Sequence, residues 1–264
     1  MTLNAGFVET NGVSLYYEVL GDGPPVVFLH GGLMDRRMWD DHFDQFAQRY
    51  RAIRYDLRGH GKSERPPGPF SHYRELHGLL NFLNIESAAL IGQSLGGRTA
   101  LSYALEHPAR VRALVLVAAG VEGYTFPAET LQAFTEIAAA RKKEDNTLAA
   151  ELFMRRWVIG PGRTAEEVNP AVLERARTMI ADNYARPSEL NNQPMEEPNA
   201  LARLSEIRIP TLIVLGDHDV ADIAEMADRL AADIPGARKI ILPGAHMVNM
   251  EQPEAFNRLV LEFL

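Results

Sequence analysis

The feature that most constrains the fold is a sharp turn between a strand and a helix, within Ala88 to Ala104. An apolar run typical of a strand, Ala88 to Ile91, continues as Gly92-Gln93-Ser94-Leu95-Gly96 before a helical pattern begins. Glycines two residues to either side of Ser94 allow the strand and the helix to approach closely around the serine. This pattern predicts Ser94 at the exposed apex of the turn. The first amides of the following helix lack partners within the helix, so they stabilise negative charge near the serine.

Taken alone, Gly-x-Ser-x-Gly is also consistent with a serine that caps a helix beside two packing glycines. Its position between a strand and a helix favours a nucleophile. A serine hydroxyl is a poor nucleophile at neutral pH and needs a base within hydrogen-bonding reach. A carboxylate must in turn fix the tautomer of that base. The nucleophile hypothesis therefore requires a histidine and an acid elsewhere in the chain.

Two residues in the last third of the chain meet this requirement best. Of the eight histidines, His246 is the strongest candidate base, because it follows the last predicted strand in Pro243-Gly244-Ala245-His246. The small residues before it leave room for the ring to turn inward. Asp219 is the candidate acid, since it follows the preceding strand in Gly216-Asp217-His218-Asp219.

Other residues near these positions have competing interpretations. Asp217 is a close alternative acid, although we expect it to bond backbone amides of its turn, and Glu122 is a more distant alternative. His30 lies in a glycine-rich loop, and we expect it to hold that loop. Gly61-Lys62-Ser63 resembles the end of a phosphate-binding loop, but that motif needs glycine five residues before Gly61, where Asp56 stands. The sequence therefore gives no support for a nucleotide.

Composition excludes several other functions. The net charge of -8 leaves no basic excess for binding nucleic acid or an anionic membrane. The absence of cysteine excludes disulfides, thiolate nucleophiles and cysteine-ligated metals. The first residues lack the basic and apolar pattern of a secretion signal, and the longest apolar stretch, Ala113 to Val121, is too short to cross a bilayer. We therefore expect a cytoplasmic protein.

Strand and helix patterns alternate along most of the 264 residues. Asn11-Gly12 between two alternating apolar runs predicts a hairpin, and strands without alternation predict a sheet buried on both faces. The expected fold is α/β, with a mostly parallel sheet covered by helices. The predicted strands are Phe7 to Thr10, Val13 to Val19, Pro25 to Leu29, Tyr50 to Tyr55, Ala88 to Ile91, Ala113 to Val117, Pro210 to Leu215 and Lys239 to Leu242. The predicted core helices are Met38 to Gln48, Ser71 to Leu83, Asp222 to Ala232 and Pro253 to Leu264. The loops that hold His30, Ser94, Asp219 and His246 all follow strands, so we expect them at one edge of the sheet.

The alternation stops between the sixth and seventh predicted strands. Helical patterns fill this stretch, and an excursion of this length without strands would otherwise be an improbable loop. We therefore predict a helical cap, or lid, at residues 122–205, inserted into a core formed by residues 1–121 and 206–264. The cap helices are predicted at Ala128 to Ala140, Thr147 to Trp157 and Ala171 to Tyr184, with a proline- and asparagine-rich exit from Pro187 to Asn199.

The order serine, acid, histidine along the chain matches the α/β-hydrolase arrangement. Over nearly its whole length the chain resembles the α/β-hydrolase superfamily, and its tail is similar to that of small carboxylesterases and 3-oxoadipate enol-lactonases. The motifs that carry the resemblance are His30-Gly31-Gly32, Asp56 to Ser63, Gly92 to Gly97, Gly216 to Asp219 and Gly244 to His246. The resemblance implies an oxyanion hole formed by the backbone amides of Gly32 and Leu95.

The predicted function is that of a serine hydrolase, without cofactor or metal, that cleaves a small-molecule carboxylic ester or lactone through an acyl-enzyme. Ser94 argues against the related dehalogenases and epoxide hydrolases, which use aspartate there. Three alternatives stay open at this point. One is a cofactor-free haloperoxidase or perhydrolase, and another is a receptor for a small ligand. The third is a carbon-carbon bond hydrolase, although that class usually carries tryptophan after the histidine, where this chain has Met247.

Overall fold

The computed structural model describes residues 1–186 and 194–264. In these residues eight strands form one sheet. Their bounds are β1 Asn4–Thr10, β2 Val13–Leu20, β3 Pro25–Leu29, β4 Arg51–Tyr55, β5 Ala88–Gln93, β6 Val111–Val117, β7 Thr211–Gly216 and β8 Arg238–Leu242. Every predicted strand is present, and each begins and ends within a few residues of its predicted bounds.

The sheet is mostly parallel, as the sequence predicts. The strand order is β1-β2-β4-β3-β5-β6-β7-β8. β1 pairs antiparallel with β2, and β2 with β4, whereas all later neighbours are parallel. The hairpin turn between β1 and β2 places Asn11 at φ 46° and Gly12 at φ 70°, the left-handed pair that a two-residue turn requires.

Helices cover both faces of the sheet. Because the central strands then have no face in water, β5 and β7 are buried along their whole length. This explains why their sequences do not alternate. The helices of the described residues are α1 Asp40–Ala47, α2 His72–Phe82, α3 Leu95–Glu106, α4 Ala128–Lys142, α5 Asn146–Phe153, α6 Pro170–Tyr184, α7 Ala221–Asp233, α8 Val248–Glu251 and α9 Pro253–Phe263.

Two predicted helices differ from the observed ones. The helix expected from Met38 begins as a 3₁₀ turn, Arg36–Trp39, because the Asp35 carboxylate accepts a hydrogen bond from the Arg37 amide and fixes the tighter start. The helix expected from Thr147 to Trp157 is α-helical only to Phe153 and continues as a π-helical turn, Met154–Ile159. Periodicity alone does not separate these helix types.

Helices α4, α5 and α6 lie between β6 and β7, and we call residues 122–205 the cap segment. The first part of the predicted exit, residues 187–193, lies outside the described residues. The division of the chain at 122 and 205 stays a prediction. No helix of the described residues is long and apolar enough to span a lipid bilayer.

Candidate active site

Ser94 lies between β5 and α3 in a strained backbone conformation, with φ 49° and ψ −107°. The Ser94 amide donates to the Val117 carbonyl at 2.9 Å. The Ser94 carbonyl accepts from the amides of Arg98 at 3.0 Å and Gly120 at 3.1 Å. A left-handed conformation of a residue other than glycine costs about 1 to 3 kcal/mol and persists only where its surroundings impose it. Here the strand on one side and the helix on the other impose it.

Both glycines of the turn are required by close backbone contacts. A Cβ atom on Gly92 would lie 2.4 Å from the Gly96 carbonyl oxygen, and one on Gly96 would lie 2.1 Å from the Leu29 carbonyl oxygen. Atoms cannot approach this closely without a shift of the backbone. The expectation that the turn needs small neighbours around Ser94 therefore has a steric basis in the strands and the helix that meet there.

His246 and Asp219 are hydrogen-bonded at the carboxyl ends of β8 and β7. Nδ1 of His246 lies 3.1 Å from Oδ1 and 3.0 Å from Oδ2 of Asp219. Both side chains are buried. Because a carboxylate only accepts, Nδ1 donates to Asp219, and Nε2 of the neutral ring is left as a proton acceptor. Asp219 also accepts from the Val220 amide at 2.8 Å.

Neither alternative acid contacts His246. Asp217 accepts from the Gly244 amide at 2.9 Å and lies 2.7 Å from Nδ1 of its neighbour His218. The bond from Gly244 is the main reason that the pKa of the Asp217 carboxyl is lowered. Asp217 therefore bonds a backbone amide, as expected, but that amide belongs to the loop after β8 rather than to its own turn. Glu122 instead forms an ion pair with Arg98.

Two further residues hold the loop that carries His246, and the sequence analysis missed both. The Gln93 side-chain amide donates to the His246 carbonyl at 2.9 Å. Glu251 accepts from the Ala245 amide at 2.6 Å and pairs with Arg163, also at 2.6 Å. Gln93 stands beside Ser94 in the sequence, but no local pattern predicts its bond to a residue 153 positions away. The contact of Glu251 with the Ala245 amide has no counterpart in any pattern of the sequence.

The glycine-rich loop after β3 lies against the turn of Ser94. A Cβ atom on Gly31 would lie 1.9 Å from Oε1 of Gln93, whereas Gly32 faces open space. His30 is fully buried; its Nδ1 donates to the Gly31 carbonyl at 2.8 Å, and its Nε2 accepts from the Leu57 amide at 2.9 Å. Burial lowers the pKa of His30, so the ring is neutral in this role. His30 therefore holds the loop, as predicted.

One cavity of about 190 Å³ brings the candidate residues together. Ser94, His246, Leu95 and Gly32 all line it, and Asp219 lies behind His246. Within residues 1–186 and 194–264 no hydrogen bond joins the Ser94 hydroxyl to the imidazole, and such contacts are often loose in sites without substrate. The opposite wall comes from the cap segment and α7 and was not foreseen. It comprises Phe126, Phe134, Phe153, Trp157, Asp222 and Ile223.

The rejected phosphate-binding motif is folded around a buried carboxylate. Asp56 accepts from the amides of Lys62 and Arg36, both at 2.8 Å, and pairs with the Arg36 guanidinium at 2.9 Å. Ser63 donates its hydroxyl to the Asp56 carbonyl at 2.5 Å. Residues 61–63 are therefore tied to their own strand end. In the described part of the chain no three histidine or carboxylate side chains gather as a metal would require.

Comparisons with known proteins identify the family of this chain and several of its relatives. The family model described as alpha/beta hydrolase fold matches residues 24–253. The chain is 28% identical over 253 residues to 3-oxoadipate enol-lactonase 2 of Acinetobacter baylyi. The alignment covers 94% of this chain and 92% of that protein. It is 31% identical over 265 residues to the 2-hydroxy-6-oxononadienedioate/2-hydroxy-6-oxononatrienedioate hydrolase of Burkholderia vietnamiensis, covering 95% and 90% respectively. The crystal structure of the enol-lactonase from Burkholderia xenovorans superposes with a TM-score of 0.83 at 27% identity, covering 98% of this chain and 99% of that one.

Proposed function

Because this chain belongs to the alpha/beta hydrolase fold family, we propose that it is a serine hydrolase that cleaves a carboxylic ester or lactone through an acyl-enzyme. Family membership confirms the resemblance drawn from the sequence motifs, which named enol-lactonases and carboxylesterases. Family membership does not identify the kind of bond that is cleaved or the residues that cleave it, and these are what we propose.

In the proposed reaction, His246 takes the Ser94 proton on Nε2 while the Ser94 oxygen attacks the substrate carbonyl. Asp219 holds the ring in the Nδ1-protonated tautomer and stabilises its charged form. The imidazolium then protonates the leaving alkoxide, which departs and leaves an ester of Ser94. Water repeats the same steps on that ester, so the acid is released and the free hydroxyl is restored.

The oxyanion of each tetrahedral intermediate is bound by the amides of Gly32 and Leu95. Leu95 is the first residue of α3, so its amide has no carbonyl partner within the helix. Gly32 lines the same cavity and has open space around its Cα. The loss of one such donor typically lowers the rate about 100-fold to 1000-fold.

One observation supports this proposal most strongly. The buried pair Asp219–His246, at 3.0 Å, lies in the same cavity as a serine held in a strained turn. A serine that merely capped a helix would accept a bond from a helix amide, yet the Ser94 side chain makes no capping hydrogen bond with α3. The interpretation of Ser94 as a residue that merely caps α3 therefore explains less of the observed geometry than a nucleophile does.

The test replaces the nucleophile and a matched serine. Ser94→Ala is expected to lower kcat for p-nitrophenyl hexanoate by about 10,000-fold or more, because attack by Ser94 is lost and the covalent path disappears. Ser102→Ala, which removes a buried hydroxyl from the same helix, is expected to stay within about twofold of the unmodified enzyme. An alkyl fluorophosphonate should add one phosphonyl group to the Ser94 peptide. Labelling elsewhere, or turnover that survives Ser94→Ala, would refute the proposal.

The relative from Burkholderia vietnamiensis favours a second candidate, cleavage of a carbon-carbon bond beside a ketone. The same triad residues would be used, with the leaving group a carbanion rather than an alkoxide. Met247, not tryptophan, follows His246 in this chain. Comparing kcat/KM for a 2-hydroxy-6-oxo dienoate and for an enol-lactone separates the two candidates, and we expect the lactone to be the better substrate.

A further inference from the structure

Asp222 is a buried carboxylate in the wall of the active-site cavity without a hydrogen-bond donor. It lies in the first turn of α7 and is 4% exposed. Within the described chain its oxygens accept no hydrogen bond. It forms a long ion pair with Arg156, whose guanidinium nitrogen lies 3.9 Å from Oδ1, beyond hydrogen-bonding range. The carboxylate oxygens are therefore free to accept hydrogen bonds from a group in the cavities that Asp222 lines.

The two terminal nitrogens of Arg156 have hydrogen-bond partners other than Asp222. They donate to the Thr130 hydroxyl at 2.6 Å and to the Glu129 carboxylate at 3.3 Å, both on α4, whereas Nε finds no partner within the described residues. Asp222 lines the cavity that holds Ser94 and His246, and it also lines a neighbouring cavity together with Arg156.

The cation in the cavity wall pairs with a different carboxylate. Arg98 lines the cavity, and its guanidinium forms a close ion pair with Glu122. Asp222 is the carboxylate of this wall that is buried and accepts no hydrogen bond within the described residues.

The other cavity walls fit an organic cation. Phe126, Phe134, Phe153 and Trp157 supply aromatic rings. Ring faces carry negative charge density and attract ammonium groups, most strongly when the site excludes water. An anionic substrate would meet the Asp222 carboxylate, and the Arg98 guanidinium is already paired with Glu122.

We propose that Asp222 determines specificity by binding a protonated amine of the substrate, so that the preferred ester or lactone carries an ammonium group. This inference rests on the proposed hydrolase function and narrows its substrate class. Asp222 binds the amine and takes no part in the covalent steps. A charge-assisted hydrogen bond in such a site changes kcat/KM by about 10-fold to 100-fold.

The test compares p-nitrophenyl esters of similar chain length, made from 6-aminohexanoic acid, hexanoic acid and adipic acid. Unmodified enzyme should prefer the amino ester to the adipate ester by at least about 10-fold, mainly through KM. Asp222→Asn, and independently Asp222→Ala, should lower that preference by about 10-fold or more. Asp228→Asn removes the same charge from the exposed face of α7 and should leave the preference unchanged.

Binding measurements separate this inference from the hydrolase proposal. If no ester is turned over, the hydrolase proposal fails, and calorimetry with hexylammonium and with hexanoate still tests Asp222. Hexylammonium should then bind at least about 10-fold more tightly than hexanoate, and Asp222→Asn should abolish the difference. Two results would overturn the role of Asp222. One is a preference for the adipate ester or for hexanoate, which would point to Arg98. The other is an amine preference that survives in both Asp222 variants.

Discussion

The sheet and helix α4 of the cap segment bury very different amounts of apolar surface, although both line the active-site cavity. β5 and β7 are buried along their whole length. In contrast, only Thr130, Ala140 and Arg141 are buried in α4, and two of its large apolar side chains, Leu131 and Phe134, are 51% and 42% exposed. Apolar burial therefore specifies the sheet, whereas it contributes little to the position of α4.

Helix α6 of the cap segment is attached to the core both by apolar burial, which includes Met179 and Ile180, and by polar links. Arg175 on α6 pairs with Asp41 on α1 at 2.7 Å, and Asp182 on α6 pairs with Arg37 at 2.7 Å. The Asn183 side-chain amide donates to the Leu33 carbonyl at 3.0 Å. Such links are directional but weak in water, so each adds little to the apolar burial of α6. The proposed catalytic residues and the proposed substrate-binding wall at α4 therefore have separate structural supports.

The largest expected difference between the two regions is in the free energy of unfolding after loss of a phenyl ring. Phe28 on β3 is fully buried, with its ring 5.2 Å from those of Trp39 and Phe46. Phe28→Ala should lower the free energy of unfolding by about 4 kcal/mol, because a cavity opens in the core. Phe134→Ala in the cap segment should lower it by about 1 kcal/mol, since the ring is partly in water.

The same pair of variants should separate in activity. Phe134 stacks on Trp157 at 5.5 Å and lines the active-site cavity, so Phe134→Ala should raise KM for p-nitrophenyl hexanoate by about fivefold. Urea denaturation and steady-state kinetics measure the two effects. Equal losses of stability for both variants would contradict the division between sheet and cap segment.

A second difference concerns pH, because the cap segment contains no histidine. His42 on α1 is fully buried; its Nδ1 lies 2.6 Å from Oδ1 of Asn257 on α9, and its Nε2 finds no partner within the described residues. Burial lowers the pKa of His42 from 6.5 to about 4. Between pH 4 and pH 6.5 the imidazole of His42 is therefore protonated in the unfolded chain but neutral in the folded protein.

The contribution of His42 to stability is therefore complete above pH 6.5 and is lost as the pH falls toward 4. A pKa lowered by this much should reduce the free energy of unfolding by about 3 kcal/mol at pH 4. Denaturation curves from pH 7 to pH 4 should show this slope, and His42→Asn should reduce it; a smaller slope should remain, because burial also lowers the pKa values of His30 and His60. His218→Asn, which changes an exposed histidine, should keep the slope. Parallel pH profiles for His42→Asn and the unmodified protein would show that another group is responsible.

How much could be predicted from the sequence depends on whether a feature arises from neighbouring residues or from residues far apart along the chain. The strands, the hairpin at Asn11-Gly12 and the turn at Ser94 follow from local sequence patterns, and the structure contains each of them. Gln93 bonds the carbonyl of a residue 153 positions away, and no local pattern encodes such a contact. The aromatic wall and Asp222 were missed for the same reason. Phe134 reads as an ordinary helix residue until the packing of α4 places its ring at the cavity.

The smallest expected effect concerns salt and the docking of the cap segment. The pair Arg175–Asp41 is exposed to solvent, with side-chain exposures of 25% and 34%. Its attraction is screened as ionic strength rises from about 0.1 to 1 M, whereas apolar burial in the sheet is not weakened. Amide hydrogen exchange in α6 should then accelerate about two- to fivefold, with β5 unchanged. Arg175→Ala should produce this acceleration at low salt. Arg229→Ala, which breaks an ion pair within α7, should not. If α6 and β5 responded equally to salt, the polar links of α6 would not contribute to its docking on the core.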